Sequence, residues 1–159
     1  MDEINIDGVI LTPLKKIPHP KGDILHGMKI NDDGYAGFGE AYFSTIKQGH
    51  IKGWNRHKTM TLNLIVPKGK VTFVIYDNRE KSKTKGFFYK VDLSPSNYKR
   101  LTVAPRLWLS FKGGYVNKNN YLEIAKAVND LSHDISPNKN SSLMSWDDVG
   151  SKFKRVLDG

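Results

Sequence analysis

Short runs of β-branched and aromatic residues, each closed by glycine, proline, asparagine or aspartate, recur along this chain and constrain its fold more than any other feature. The clearest pair is TLNLIV and VTFVIY, separated by Pro67, Lys68 and Gly69. Strands are predicted at Ile4–Leu14, ending at Pro13, and at Phe38–Ile46, Thr59–Val66, Val71–Tyr76, Phe87–Leu93, Tyr98–Val103 and Leu107–Phe111. A shorter run, Ile24–Ile30, follows the breaks at Pro18, Pro20 and Gly22. Asn31–Gly34 and Ser94–Asn97 read as turns. Gly69 supplies a turn that would pair Thr59–Val66 with Val71–Tyr76 as a hairpin. Tyr121–Val128 fits a strand or a helix by pattern alone. Strands so closely spaced predict an all-β sandwich or small barrel.

The tail reads differently. Residues 135–142 are polar and contain a proline, as a surface linker would. Ser145–Gly159 reads as a helix, capped by Ser145, with Asp147 and Asp148 in its first turn. Val149, Phe153 and Leu157 give it one apolar face. Residues 1–134 are therefore expected to form the β-domain, and 135–159 a linker and helix packed on it.

At 159 residues the chain suits a single domain. It has no cysteine, which excludes disulfides, thiolate metal sites and cysteine nucleophiles and fits a cytoplasmic protein. The acidic N-terminus MDEINIDGVIL does not read as a signal peptide, and no apolar run is long enough to span a membrane. The net charge of +9 points to an anionic partner: nucleic acid, a membrane surface or a phosphorylated small molecule. No RNP, GXXG or zinc-finger pattern supports nucleic acid, and no membrane partner is expected. The densest cationic run, Arg79–Lys85, reads as a solvated hairpin loop.

His57 is the sharpest candidate for chemistry, because it sits among Lys52, Arg56 and Lys58. An imidazole titrates near neutral pH, and surrounding cations hold it neutral, as a general base requires. On a strand Asn55 and His57 would share one face, with Lys52 off register across Gly53 and with Arg56 and Lys58 turned away. Glu40 is a carboxylate in an otherwise apolar run, and reads equally as an outward strand residue or as a ligand to sugar hydroxyls. Trp54, Tyr76, Trp108 and Phe111 are core residues by default, from which a ring or two would be available to stack on a ligand. His19, His26, His50 and His133 form no HXH or HEXXH set, so no metal is expected, and no GxGxxG or Walker pattern is present.

Taken together, GFGEAYFS, the Lys52–Arg79 segment KGWNRHKTMTLNLIVPKGKVTFVIYDNR, NYKRLTVAPRLWLSFKG, YLEIA and SHD resemble the dTDP-4-dehydrorhamnose 3,5-epimerase family. The likeness is closest to its shorter, sugar-nucleotide-modifying members of surface-polysaccharide pathways, and runs from about Ile10 to Asp134. A second similar group is the dTDP-sugar 3,4-ketoisomerases, whose R-G-x-H-A-H-K motif lines up with Lys52–Lys58. The resemblance implies a cupin-type jelly-roll barrel, a homodimer, no cofactor or metal, and a nucleotide sugar as substrate. It implies that His57 is the base, and that Lys52 replaces the arginine preceding the motif glycine. Asn55 stands where the family's first histidine stands, and Leu62 where a lysine is found. Trp108-Leu109-Ser110-Phe111 takes the place of an aromatic-His-Gly-Phe element. A tyrosine returns the proton in this scheme, and Tyr76 and Tyr121 are the candidates. Arg56, Lys58 or the Arg79–Lys85 loop would hold the diphosphate. The family's later aspartate matches Asp148. The epimerase reading has two alternatives, ketoisomerisation and a binding barrel without catalysis.

Overall fold

The computed structural model describes residues 4–114 and 122–129, and all regular structure among them is strand. In chain order the strands are β1 (Val9–Pro13), β2 (Lys16–Ile17), β3 (Ile24–Leu25), β4 (Glu40–Ile46), β5 (Ile51–Arg56), β6 (Thr61–Lys68), β7 (Val71–Tyr76), β8 (Phe88–Leu93), β9 (Lys99–Val103), β10 (Trp108–Gly113) and β11 (Leu122–Asn129). They form a five-stranded sheet, β1-β9-β6-β11-β4, a four-stranded sheet, β5-β10-β7-β8, and the β2-β3 ribbon. Pairing within them is antiparallel. Alternate residues of β6 (Leu62, Leu64, Val66) and β7 (Val71, Phe73, Ile75) belong to one buried cluster, so the two sheets face each other across a shared core. This is the two-sheet jelly roll of a cupin, open rather than closed at its edges.

Two expectations change. β6 and β7 are not a hairpin: β6 pairs with β9 and β11, and β7 with β8 and β10. The chain turns the corner between sheets at Gly69, whose φ of 78° a side chain would resist. Crossing there sets the inner faces of both strands against each other across the core. A hairpin would instead have laid them side by side. The first strand also starts later than the pattern suggests, at Val9, because Asp7 and Gly8 form a turn. Pattern left Tyr121–Val128 open, and β11 resolves it as a strand between β6 and β4. Tyr121, Asp148, the linker and the helix expected at Ser145–Gly159 lie outside the described residues.

The other face of the five-stranded sheet carries a polar layer that fixes residues 27–34 against it. Arg100 is fully buried and donates to Gly27 O at 2.9 Å, Asp32 Oδ2 at 2.8 Å and Asp33 O at 2.8 Å. Beside it, Thr102 Oγ1 donates to Asn63 Oδ1 at 2.6 Å, and Asn63 Nδ2 donates to Gly34 O at 3.2 Å. Gly34 is required here. Its φ is 82°, and a Cβ would stand 2.6 Å from Thr102 Oγ1. T102V keeps the volume but leaves the Asn63 carbonyl oxygen buried without its donor. It is expected to cost about 1–3 kcal/mol, read as a lowered urea midpoint at unchanged m-value.

Candidate active site

The site is built on β5, an edge strand paired only with β10 in its sheet. Leu109 pairs with Asn55 and Phe111 with Lys52, so two residues of β10 span three of β5. This is a bulge at Gly53 and Trp54, and it resets the alternation of side chains. Leu109 and Phe111 both belong to the core cluster, so their partners Asn55 and Lys52 share the inner face despite their odd spacing. The expectation that Lys52 lies off register is corrected in this way. Ser110, fully buried, donates from Oγ to Lys52 O at 3.3 Å and holds the irregular segment. The Lys52 ammonium donates to Ser44 Oγ at 3.0 Å and Thr45 O at 2.8 Å, which anchors it to β4.

Arg56 pairs with Trp108, and Trp108 with Tyr76, so these three share the opposite face. The Arg56 guanidinium lies 4.8 Å from the Trp108 ring centroid. His57 follows at the end of the strand and is half-buried, neither on the outer skin nor sealed off. Its carbonyl accepts the Arg106 N–H at 2.7 Å. Arg106 has a φ of 68°, the one non-glycine residue with positive φ among the described residues. Such backbone conformations are costly for a residue with a Cβ and cluster at functional sites.

Arg56 and Arg106 also line a cleft of about 600 Å³, together with Asp7, Asn78, Arg79 and Lys81. The β7–β8 loop forms one wall, and it is not simply solvated. Asp77, fully buried, accepts from Arg79 Nε at 3.0 Å, Arg79 Nη2 at 2.8 Å, Ser82 Oγ at 2.5 Å, Thr84 Oγ1 at 2.7 Å and the Arg79 backbone N–H at 2.9 Å. Burial alone would raise the Asp77 carboxyl. The hydrogen bonds from Arg79, Ser82 and Thr84 outweigh it and hold the group well below the usual carboxylate range. Arg79 Nη2 donates onward to Asp7 O at 2.6 Å, so the loop is tied to the N-terminal segment. Sequence reasoning missed this knot. The signal was the alternation KSKTK, in which Lys81, Lys83 and Lys85 are exposed while Ser82 and Thr84 are half-buried toward Asp77.

The remaining candidates disperse. Glu40 is exposed at the start of β4, and Lys58 is exposed beyond His57. Trp54 is 1% exposed and serves packing. Trp108 is buried beneath Arg56. Tyr76 stacks on Phe88 with ring centroids 4.4 Å apart, on the face away from Asn55 and Lys52, which separates it from the inner face where a proton would be returned. Leu62 and Leu109 are core residues, so the two positions where the resemblance implies a lysine and a histidine are filled by buried apolar side chains. Among the described residues no three of His, Asp and Glu come together as a metal site.

No family model matches the chain. A dTDP sugar isomerase from Desulfovibrio desulfuricans G20 superposes with a TM-score of 0.80 at 30% sequence identity, over 90% of this chain and 87% of that one. The chain belongs to the dTDP-4-dehydrorhamnose 3,5-epimerase family and its sugar-nucleotide isomerase relatives. Another relative is the probable low-salt glycan biosynthesis epimerase Agl13 of Haloferax volcanii, 27% identical over 110 residues, which are 68% of this chain and 70% of that protein. The dTDP-4-dehydrorhamnose 3,5-epimerase of Bacillus anthracis shares the fold at 19% identity, with a TM-score of 0.76 over 91% of this chain and 83% of that one. The inner face of this chain is left with Lys52 and Asn55 as polar groups on β5, next to His57.

Proposed function

We propose that the protein is an isomerase that epimerises a dTDP-linked (or other NDP-linked) 4-keto-6-deoxyhexose at C3, C5 or both, in the assembly of a surface polysaccharide or glycan. The observation that carries this reading is the half-buried His57 at the end of β5, beside the polar inner-face pair Lys52 and Asn55, in a chain 30% identical to a dTDP sugar isomerase. The 4-keto group acidifies the neighbouring C–H bonds. His57 takes one of these protons and leaves an enolate. Asn55 and the Lys52 ammonium are the candidate donors on the inner face for the developing oxyanion, each able to contribute about 3–4 kcal/mol if aimed at it. The proton returns to the same carbon from the opposite side of the sugar, and Tyr121 is the candidate acid. No step needs an oxidant, because the proton removed and the proton returned balance.

The same reading makes the protein a cytoplasmic homodimer. Support for the dimer comes from β1 and β4, the outer strands of the five-stranded sheet, whose outer edges pair with no strand among the described residues, and from the exposed Phe38 and Phe43 at and beside β4. Ketoisomerisation is the alternative, since the name dTDP sugar isomerase covers both reactions. Incubation with a panel of dTDP-4-keto-6-deoxyhexoses, with products identified by NMR, separates the readings. An inverted C3 or C5 supports epimerisation. A 3-keto product moves the assignment to ketoisomerase, and tight binding with unchanged sugar leaves only a binding barrel.

A further inference from the structure

We propose that Ser44 is a positioning residue that aims the Lys52 ammonium at the oxyanion formed on the inner face, a role that rests on the function proposed above. β4 and β5 are outer strands of different sheets, joined by residues 47–50, so an open seam lies between them. Lys52 spans that seam, donating to Ser44 Oγ at 3.0 Å and to Thr45 O at 2.8 Å. Ile46 belongs to the core cluster, and alternation along β4 puts Ser44 on the same inner face. Ser44 is half-buried there, while Phe43 and Thr45 on either side of it are exposed. Register with Phe111 puts Lys52 on the inner face of β5, so two inner-face side chains meet across the seam. The β4–β5 connection is itself pinned to the end of β10: the Gly49 N–H donates to Gly113 O at 2.9 Å, and the Gly113 N–H to His50 O at 3.0 Å.

The two acceptors do different things. Thr45 O is a main-chain carbonyl and ties the ammonium to the edge of β4. Ser44 Oγ stands on the inner face and draws it inward. An ammonium has three protons. Two are donated here, and the third is left for a ligand oxygen, so Ser44 fixes where that donor stands. A flexible four-carbon stem gives lysine no orientation of its own. An oxyanion donor is effective only where it is held in place before the charge develops. The Ser44 hydroxyl touches no reacting atom in this scheme and acts through Lys52.

The test is steady-state kinetics of S44A, S44T, K52M and the double variant S44A/K52M on a 4-keto nucleotide sugar that the wild type turns over. S44A is expected to lower kcat about tenfold with KM little changed, a smaller loss than the roughly hundredfold or more of K52M. S44T keeps the hydroxyl and is expected to recover most of the rate. In the K52M background S44A is expected to cost nothing further, because no ammonium is left to aim. Wild-type kcat in S44A, a loss that S44T does not recover, or the same fold-loss with and without Lys52 would overturn the assignment. A second readout needs no turnover. Reductive methylation of the full chain, followed by peptide mass mapping, is expected to modify Lys52 several times faster, relative to the exposed Lys47, in S44A than in the wild type. An unchanged ratio would show that Ser44 does not hold the ammonium. A wild type that turns over no sugar, with the ratio still raised in S44A, would remove the proposed function and the catalytic role together and leave the tether standing.

Discussion

H57N is expected to lower turnover of a 4-keto nucleotide sugar by roughly 10²–10⁴-fold, the usual contribution of a positioned general base. Binding of dTDP should survive, because the cations available to a diphosphate at the cleft are Arg56 and Arg106 and not the imidazole. The loss should therefore fall on kcat and kcat/KM together, with KM little changed. Asparagine keeps a polar side chain of similar size at a half-buried position, and its carbonyl still accepts the Arg106 N–H through the backbone. Steady-state kinetics on the best substrate of the panel, with melting curves for both proteins, check the claim. Wild-type turnover in H57N would move the base to another group.

The second large effect concerns stability. D77A is expected to destabilise the fold by roughly 3–5 kcal/mol, the range for removing one partner of a buried, hydrogen-bonded ion pair. Asp77 is fully buried, and its carboxylate gathers Arg79, Ser82 and Thr84. Without it Arg79 loses its counter-ion, and the strap from the β7–β8 loop to Asp7 O loosens. The same carboxylate sets an acid limit. Its folded-state pKa lies below the ordinary 3.8, so the unfolded chain takes up the proton first as pH falls. The stabilisation is therefore complete above that ordinary value and is lost on further acidification toward the folded-state value. D77N should melt lower at neutral pH and show a flatter dependence between about pH 5 and 2 than the wild type. Urea unfolding across that range measures it. Parallel pH profiles for the two proteins would show that Asp77 is not the group responsible.

Strands were readable from local pattern because each carries its own signal. Val71–Tyr76 is found with the predicted bounds, and Phe88–Leu93 and Lys99–Val103 begin one residue inside theirs. Which strands pair was less legible. Gly69 marks a turn in either arrangement, and only contacts between residues far apart in sequence, such as Leu64 with Leu101, decide that β6 leaves β7 for β9. The same limit hid the Lys52–Asn55 pair. Alternation places residues three apart on opposite faces, and the bulge against Leu109 and Phe111 that overrides it is a property of two strands together. The Asp77 knot was masked by charge. Three lysines in KSKTK dominate the composition, while the structural content lies in the small hydroxyl residues between them. Nothing local announces the positive φ of Arg106, since arginine is not a residue that signals one.

Proton wash-in is the most direct test of the account. Wild-type protein and a dTDP-4-keto-6-deoxyhexose are incubated in D₂O, and the recovered sugar is examined at C3 and C5. The account predicts deuterium at one or both carbons with the wild type and none above background with H57N. Deuterium entering equally with H57N, or with neither protein while the sugar stays bound, would contradict a histidine-driven enolate.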